Sequence, residues 1–219
     1  IGMLEDASMR KEILAQARIA ALAIDVSEVQ MLTGRPEDLD SPDYQHIKKQ
    51  LMNIRKSEPM YRFIYLMGRQ DRSLFFFVDS EEPGSDGYSP PGQIYEQETT
   101  DDFLQTFEPG IEITEGPLTD TWGTWVSASI PIRDLKQENV LAVLGIDIDA
   151  GHWLKRIYHA RMQPILATMI ITLLALSSTV YQRRSKISHW RIRASEQTLR
   201  YALEATSEGL WDLNLVTSK

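Results

Sequence analysis

The chain has 219 residues, with 31 acidic and 23 basic side chains, a net charge of −8 and no cysteine. That length holds one medium domain with appendages. The acidic balance gives no support to nucleic-acid binding, and the lack of cysteine excludes a disulfide scaffold and thiolate catalysis within these residues. The sequence opens on Ile1 without a visible cleavable signal, which fits a fragment with further sequence upstream, such as another membrane helix.

Residues 3–32 predict one long helix. Leu4, Met9, Ile13, Ala17, Ala20, Ile24 and Met31 recur near helical spacing, and Gly34 and Pro36 stop the run. A second helix starts at Pro42 with Ser41 as its N-cap and runs through Tyr44, Ile47, Leu51 and Ile54 to Glu58-Pro59. Residues 61–67 (YRFIYLM) and 74–79 (LFFFVD) are aromatic and branched and flank a turn at 68–72, so they predict a hairpin. Residues 80–100 hold three prolines and three glycines and predict a long loop of the kind that serves as a lid.

Residues 101–107 predict a short helix, 111–114 a short strand and 116–123 a loop. A second hairpin follows, with strands at 124–132 and 140–148 around the turn 133–139. It leads into a helix from about Ala150, with no breaker before Pro164. Two helices followed by about five strands predict an α+β domain: a long N-terminal helix on a central antiparallel sheet.

Residues 164–181 (PILATMIITLLALSSTVY) are eighteen residues without a charge. As a helix they extend roughly 27 Å, close to the ~30 Å of a bilayer core. A buried core helix is the alternative, but such a helix would show a polar stripe, and none is visible. The hydroxyls of Thr168, Thr172, Ser177, Ser178 and Thr179 suit a membrane helix because they can bond back to backbone carbonyls. Up to Gln163 there are 27 acidic and 16 basic residues; from Pro164 on there are 4 acidic and 7 basic. The positive flank belongs on the cytoplasmic side. This predicts 1–163 outside the cell membrane and 182–219 inside, although Lys155, Arg156 and Arg161 sit on the outer flank.

The element order is carried by YRFIYLM, SLFFFVDSE, YSPPGQIYE, GPLTDTWGTWVSASIPIRD and VLAVLGIDIDAGHW, over about residues 60–150. It resembles the extracytoplasmic PAS-like sensor fold called PDC or Cache. The last two segments are similar to sensor regions of bacterial and archaeal membrane histidine kinases and diguanylate cyclases. Residues 199–214 (LRYALEATSEGLWDLN) resemble the opening of a cytoplasmic PAS domain, a helix followed by Gly-Leu-Trp-Asp entering a first strand. The resemblance implies five segments: an N-terminal dimerisation helix at 1–36, a sensor domain at 37–150, a connecting and transmembrane helix at 151–181, a juxtamembrane signalling helix at 182–198, and a truncated PAS domain at 199–219. It also implies a homodimer whose kinase or cyclase output lies beyond residue 219.

Between Ser73 and Ile132 there is no Lys, Arg or His but there are twelve carboxylates. A solvated acidic surface is the simpler reading; a site for a cationic or amine-bearing ligand, or for Ca²⁺, is the other. The spacing does not match an EF-hand loop. Strand alternation groups Tyr61, Phe63, Tyr65 and Met67 on one face, then Phe75, Phe77 and Asp79, then Trp125, Ser127 and Ser129, then Val143, Gly145, Asp147 and Asp149. Each group mixes polar with apolar residues, as small-molecule pockets do. The resemblance places the ligand between sheet and lid, facing the acidic residue of the last strand, here Asp147. The candidate ligand contacts are therefore Tyr65, Phe77, Asp79, Trp125, Ser127 and Asp147 from the sheet, with Tyr88, Tyr95 and Trp122 from the loops.

Catalysis is poorly supported, and a membrane-anchored hydrolase is a distant third reading that would need a nucleophile and base within hydrogen-bond reach. His46, His152, His159 and His189 form no HExxH motif, no Ser sits in GxSxG, and there is no P-loop or dinucleotide fingerprint. No catalytic residue, metal or cofactor is assigned. The expected role is a ligand-binding sensor that relays a shift through the membrane. The alternative is a structural or protein-interaction module that sets dimer geometry around an empty pocket.

Overall fold

A computed structural model describes residues 2–71, 73–97, 99–136 and 138–216. The chain divides into two compact units, 1–161 and 162–219. The first is an α+β domain. Its five strands are β1 (Tyr61–Gln70), β2 (Ser73–Asp79), β3 (Ile113–Thr119), β4 (Thr124–Arg133) and β5 (Val140–Asp149), in the order β2-β1-β5-β4-β3. All neighbouring pairs are antiparallel. The last strand in the sequence thus lies at the centre of the sheet, with β1 on one side and β4 on the other.

Helices cover one face. Helix α1 (Gly2–Leu22) buries Met9, Ile13, Ala17 and Ala20, the stripe expected from its spacing. The single helix predicted for 3–32 is in fact two. The Asp25 carboxylate accepts from the Ser27 N–H (2.8 Å) and hydroxyl (2.6 Å) and caps a new helix, α2 (Val26–Met31). A local cap broke the helix where no Gly or Pro announced it. A 3₁₀ turn (Pro36–Asp40) leads to α3 (Pro42–Ser57), whose N-cap is Ser41, accepting from the Tyr44 N–H at 3.1 Å. The buried residues of α3 are Tyr44, Ile47, Lys48 and Leu51, at i, i+3, i+4 and i+7. These helices meet Ile64, Leu66, Val78, Val126, Ala128, Ile130, Leu144 and Ile146 from the sheet in one apolar core.

The second face carries a smaller core of Met67, Leu74, Phe76, Phe103 and Val143 under the loops. The loop after β2 is anchored to it: the Phe76 N–H donates to the Gln93 carbonyl (3.0 Å), Gly92 N–H to Phe76 O (2.8 Å) and Tyr95 N–H to Leu74 O (2.9 Å). These bonds occupy the open edge of β2. A one-turn helix, α4 (Asp101–Leu104), follows with Thr100 as N-cap, shorter than the 101–107 predicted. Strand β3 is longer than predicted. It takes in 116–119 through a bulge between Glu115 and Leu118 that absorbs Gly116 and Pro117.

Helix α5 (Ala150–Val216) starts directly after β5, with the Asp149 carboxylate accepting from the His152 N–H at 3.0 Å. Its first turns bury Trp153 and Ile157 in the helix-face core. The Trp153 indole donates to Asp6 Oδ1 (2.9 Å), while Asp6 Oδ2 accepts from Arg10 Nε (2.8 Å), and Arg10 Nη2 donates to the Gly116 carbonyl of β3 (2.7 Å). The second unit is the rest of α5. It includes the stretch that is long and apolar enough to cross a membrane. Thr168 and Thr172 bond back to the carbonyls of Pro164 (2.7 Å) and Thr168 (2.8 Å), as anticipated for hydroxyls in such a helix. The strand expected to begin at Gly-Leu-Trp-Asp is absent: the helix continues to Val216.

Candidate functional site

The face of the sheet away from the helices encloses a cavity of about 420 Å³, a size suited to a small molecule. Its floor comes from β1, β5 and β4, and its walls from β2, β3 and the loops. Strand alternation sends Phe63, Tyr65 and Met67 of β1, Trp125 and Ser127 of β4, and Asp147 of β5 into it. Cross-strand pairing aligns Asp147 with both Phe63 and Ser127.

Seven of the nine candidate contacts line this cavity: Tyr65, Asp79, Tyr95, Trp122, Trp125, Ser127 and Asp147. Phe77 and Tyr88 do not. Phe77 is displaced by a β-bulge: Leu66 pairs with Val78 and Met67 with Phe76, leaving Phe77 the extra residue. Phe77 and Val78 both turn to the helix-face core, and Phe76 takes the cavity position. Tyr88 instead covers the Lys48 ammonium, which lies 4.6 Å from its ring centroid. Sequence reasoning also passed over Phe63, Thr100, Glu115 and Asp120, which line the cavity. Glu115 and Asp120 stood among the twelve carboxylates, but only the pairing of Glu115 with Ser127 and the bonds of Asp120 to Trp122, Gly123 and Trp125 place them at the cavity.

Asp147 is 6 % exposed. Its Oδ1 accepts from the Tyr65 hydroxyl (3.3 Å), and the Ser127 hydroxyl also donates to the carboxylate. Burial pushes its pKa up to about 7; the Ser127 and Tyr65 hydrogen bonds oppose that, while Asp120 and Glu115 add to it. Burial and the Asp147 charge in turn push the Tyr65 phenol well above its ordinary value. Gly145 makes this pair feasible. A Cβ there would run into the Tyr65 ring and hydroxyl.

Asp79 has a different task. Its Oδ1 accepts from the Lys48 ammonium (3.1 Å) and the Glu81 N–H (3.1 Å), and its Oδ2 from the Ser89 N–H. Lys48, itself 7 % exposed, also donates to the Glu81 carbonyl at 2.6 Å. Burial raises the Asp79 pKa against the pull of Ser89 and Lys48. Its carboxylate therefore fixes the start of the loop and is largely satisfied by protein. The next carboxylate, Glu81, accepts from both Arg55 and Arg62. Arg62 and Arg69 thus do not enter the cavity: Arg69 donates to the Asp71 carbonyl (3.0 Å). Arg72 lies outside the described residues.

Glu115 accepts from the Thr100 hydroxyl (2.6 Å), and burial raises its pKa despite that bond. Asp120 Oδ1 accepts from the N–H groups of Trp122 (2.8 Å) and Gly123 (3.0 Å) and from the Trp125 indole (2.9 Å), holding both tryptophans in place. Aromatic contacts build the walls. Tyr95 stacks on Trp122 (centroids 6.2 Å, 14°), Phe76 meets Tyr65 edge-on (5.6 Å), and Phe63 meets Trp125 edge-on (5.1 Å). Among the described residues no group of three or more His, Asp or Glu could hold a metal ion. The arrangement offers shape, aromatic faces, hydroxyls and carboxylates.

No protein-family model matches the sequence, and no curated protein matches it. Solved structures do resemble the fold. The ligand-binding domain of the Campylobacter jejuni chemoreceptor Tlp3 in complex with L-valine is 14% identical over 69% of this chain and 56% of its own, with a TM-score of 0.46. The isoleucine-bound sensory domain of that receptor gives the same values. The periplasmic domain of RsbU from Chlamydia trachomatis is 19% identical over 71% of this chain and 56% of its own, with a TM-score of 0.36. The chain thus spans little more than half the length of these solved structures.

Proposed function

We propose that this chain is the sensor region of a membrane signalling receptor, binding a small molecule in the cavity outside the membrane and relaying the event inward along α5. The carrying observation is that Asp147, on the cavity floor, and Ala150, the first residue of α5, are three positions apart on one unbroken β5–α5 connection. A second link supports the relay: β3, which bears Glu115, is tied by Arg10 and Asp6 to Trp153 on α5. An unfilled, partly open cavity lined by Asp147 and Tyr65 supports ligand binding over a purely structural module, whose sheet face would be plugged.

In this reading residues 1–163 lie outside the cell membrane, 164–181 cross it and 182–219 lie inside. The receptor acts as a homodimer with α1 at the interface. The cytoplasmic output, a PAS domain followed by a histidine kinase or diguanylate cyclase, follows the resemblance of the sequence to such sensors. Ligand drives the relay only by binding the two states unequally.

The chain has no cysteine, so one introduced at Gln182 gives a unique spin-label site. In lipid nanodiscs, a ligand found by thermal shift should change the distance between labels on paired copies. If no amine, amino acid, carboxylate or divalent cation stabilises the chain, direct sensing is untenable.

A further inference from the structure

The described residues lining the cavity include four carboxylates, Asp79, Glu115, Asp120 and Asp147, and no Lys, Arg or His. Lys48 neutralises Asp79 from the α3 side. Among the described residues no cation pairs with Glu115, Asp120 or Asp147; their partners are hydroxyls, backbone N–H groups and an indole. The remaining lining mixes aliphatic and hydroxyl side chains with the aromatic rings of Phe63, Tyr65, Phe76, Tyr95, Trp122 and Trp125, and aromatic faces attract cations. A buried charge is stable only when paired. A ligand ammonium entering here meets carboxylates and π faces together. A ligand carboxylate meets like charges in a low-dielectric space with no counter-ion.

We propose that the cavity recognises a small organic cation that carries no carboxylate, a primary amine or a methylated ammonium, and rejects the corresponding amino acids. The ammonium sits between Asp147 and Glu115, against Tyr95, Trp122 and Trp125. The hydrocarbon part fills the space over Phe76. Specificity arises chiefly from rejection: the ligand-borne carboxylate would be left unpaired in the cavity. This inference rests on the proposed sensor role and names the ligand class for the same site.

The test uses the 219-residue chain in lipid nanodiscs and isothermal titration at pH 8. The probes come in pairs that differ at the carboxylate: 3-methylbutylamine against leucine, 2-phenylethylamine against phenylalanine, choline against glycine betaine. At least one amine should bind, with its carboxylated partner at least about tenfold weaker. The Asp147→Asn chain should lose amine affinity by about tenfold or more. Glu115→Gln should act in the same direction, and serves alone if Asp147→Asn loses its cooperative unfolding transition. An amino acid that binds as tightly as its amine overturns the inference and leaves small-molecule sensing standing. So does binding of a simple carboxylate or of Ca²⁺ in place of every amine. If no probe of any kind binds, both the inference and the proposed function fall.

Discussion

The two faces of the sheet use the same strands for opposite purposes. Toward the helices, Ile64, Leu66, Val126, Leu144 and Ile146 are buried among the aliphatic residues of α1 and α3. Toward the loops, the alternate positions hold Tyr65, Ser127 and Asp147 around an open space. One face is filled and stabilises the domain. The other is left open, and its buried carboxylates oppose folding. The filled face and the open one are separated by the two-residue period of a strand.

Four substitutions test that separation, beginning with the largest expected effect. Lys48→Met strips the counter-ion from buried Asp79 and should destabilise the domain by about 3–5 kcal/mol in chemical denaturation. The loss should shrink as pH falls and Asp79, whose pKa burial raises, takes up a proton. Leu144→Ala empties a fully buried site on the helix face and should cost about 2–5 kcal/mol while leaving ligand affinity unchanged, which would confine the damage to one face.

Asp147→Asn should act with the opposite sign. The folded pKa of Asp147, about 7, lies above its ordinary value, so the folded state holds the proton more tightly. The Asp147 carboxylate should therefore cost the wild-type chain stability as pH rises from about 4 to 7, on the order of 1.4 kcal/mol for each pH step of one across that window, and the variant should lack that share of the slope while keeping the part due to Asp79 and Glu115, whose pKa values burial also raises. Ligand binding gives a complementary reading. An ammonium needs Asp147 ionised, so its affinity should fall as pH drops below about 7. The titratable neighbours of Asp147 are Tyr65, Tyr95, Glu115 and Asp120. The two tyrosines stay neutral over this range because burial raises both phenols, so the slope belongs to the carboxylates. An unchanged melting curve from pH 5 to 8 would contradict this account. The smallest effect is Tyr65→Phe, about 0.5–1.5 kcal/mol for one hydrogen bond, with a clearer loss in ligand affinity than in stability.

Most of this contrast was legible in the sequence. Period-two alternation grouped Tyr65, Trp125 with Ser127, and Asp147 each within its own strand, the resemblance to a sensor fold turned those sets toward one pocket, and the Pro- and Gly-rich loop marked the cover. What alternation cannot register is a residue added to one strand. The bulge at Phe77 exchanged it for Phe76, and the bulge at Gly116-Pro117 let β3 continue past Glu115 into residues predicted as loop. Nor does local pattern reveal Lys48 and Asp79, 31 positions apart and joined only by packing. Tyr88 was misplaced for the same reason: its partner is that lysine, not the cavity.

The Asp6 carboxylate has a consequence of its own. It joins the N-terminal helix, the β3 wall through Arg10, and the outgoing helix through Trp153. Such a junction transmits in both directions, because coupling between two sites is reciprocal. If occupancy of the cavity shifts the seat of Trp153, then restraining Trp153 shifts the affinity of the cavity by the same factor. Under the proposed sensor role, a domain cut from α5 and the same domain on the full chain should then bind the same ligand with different dissociation constants.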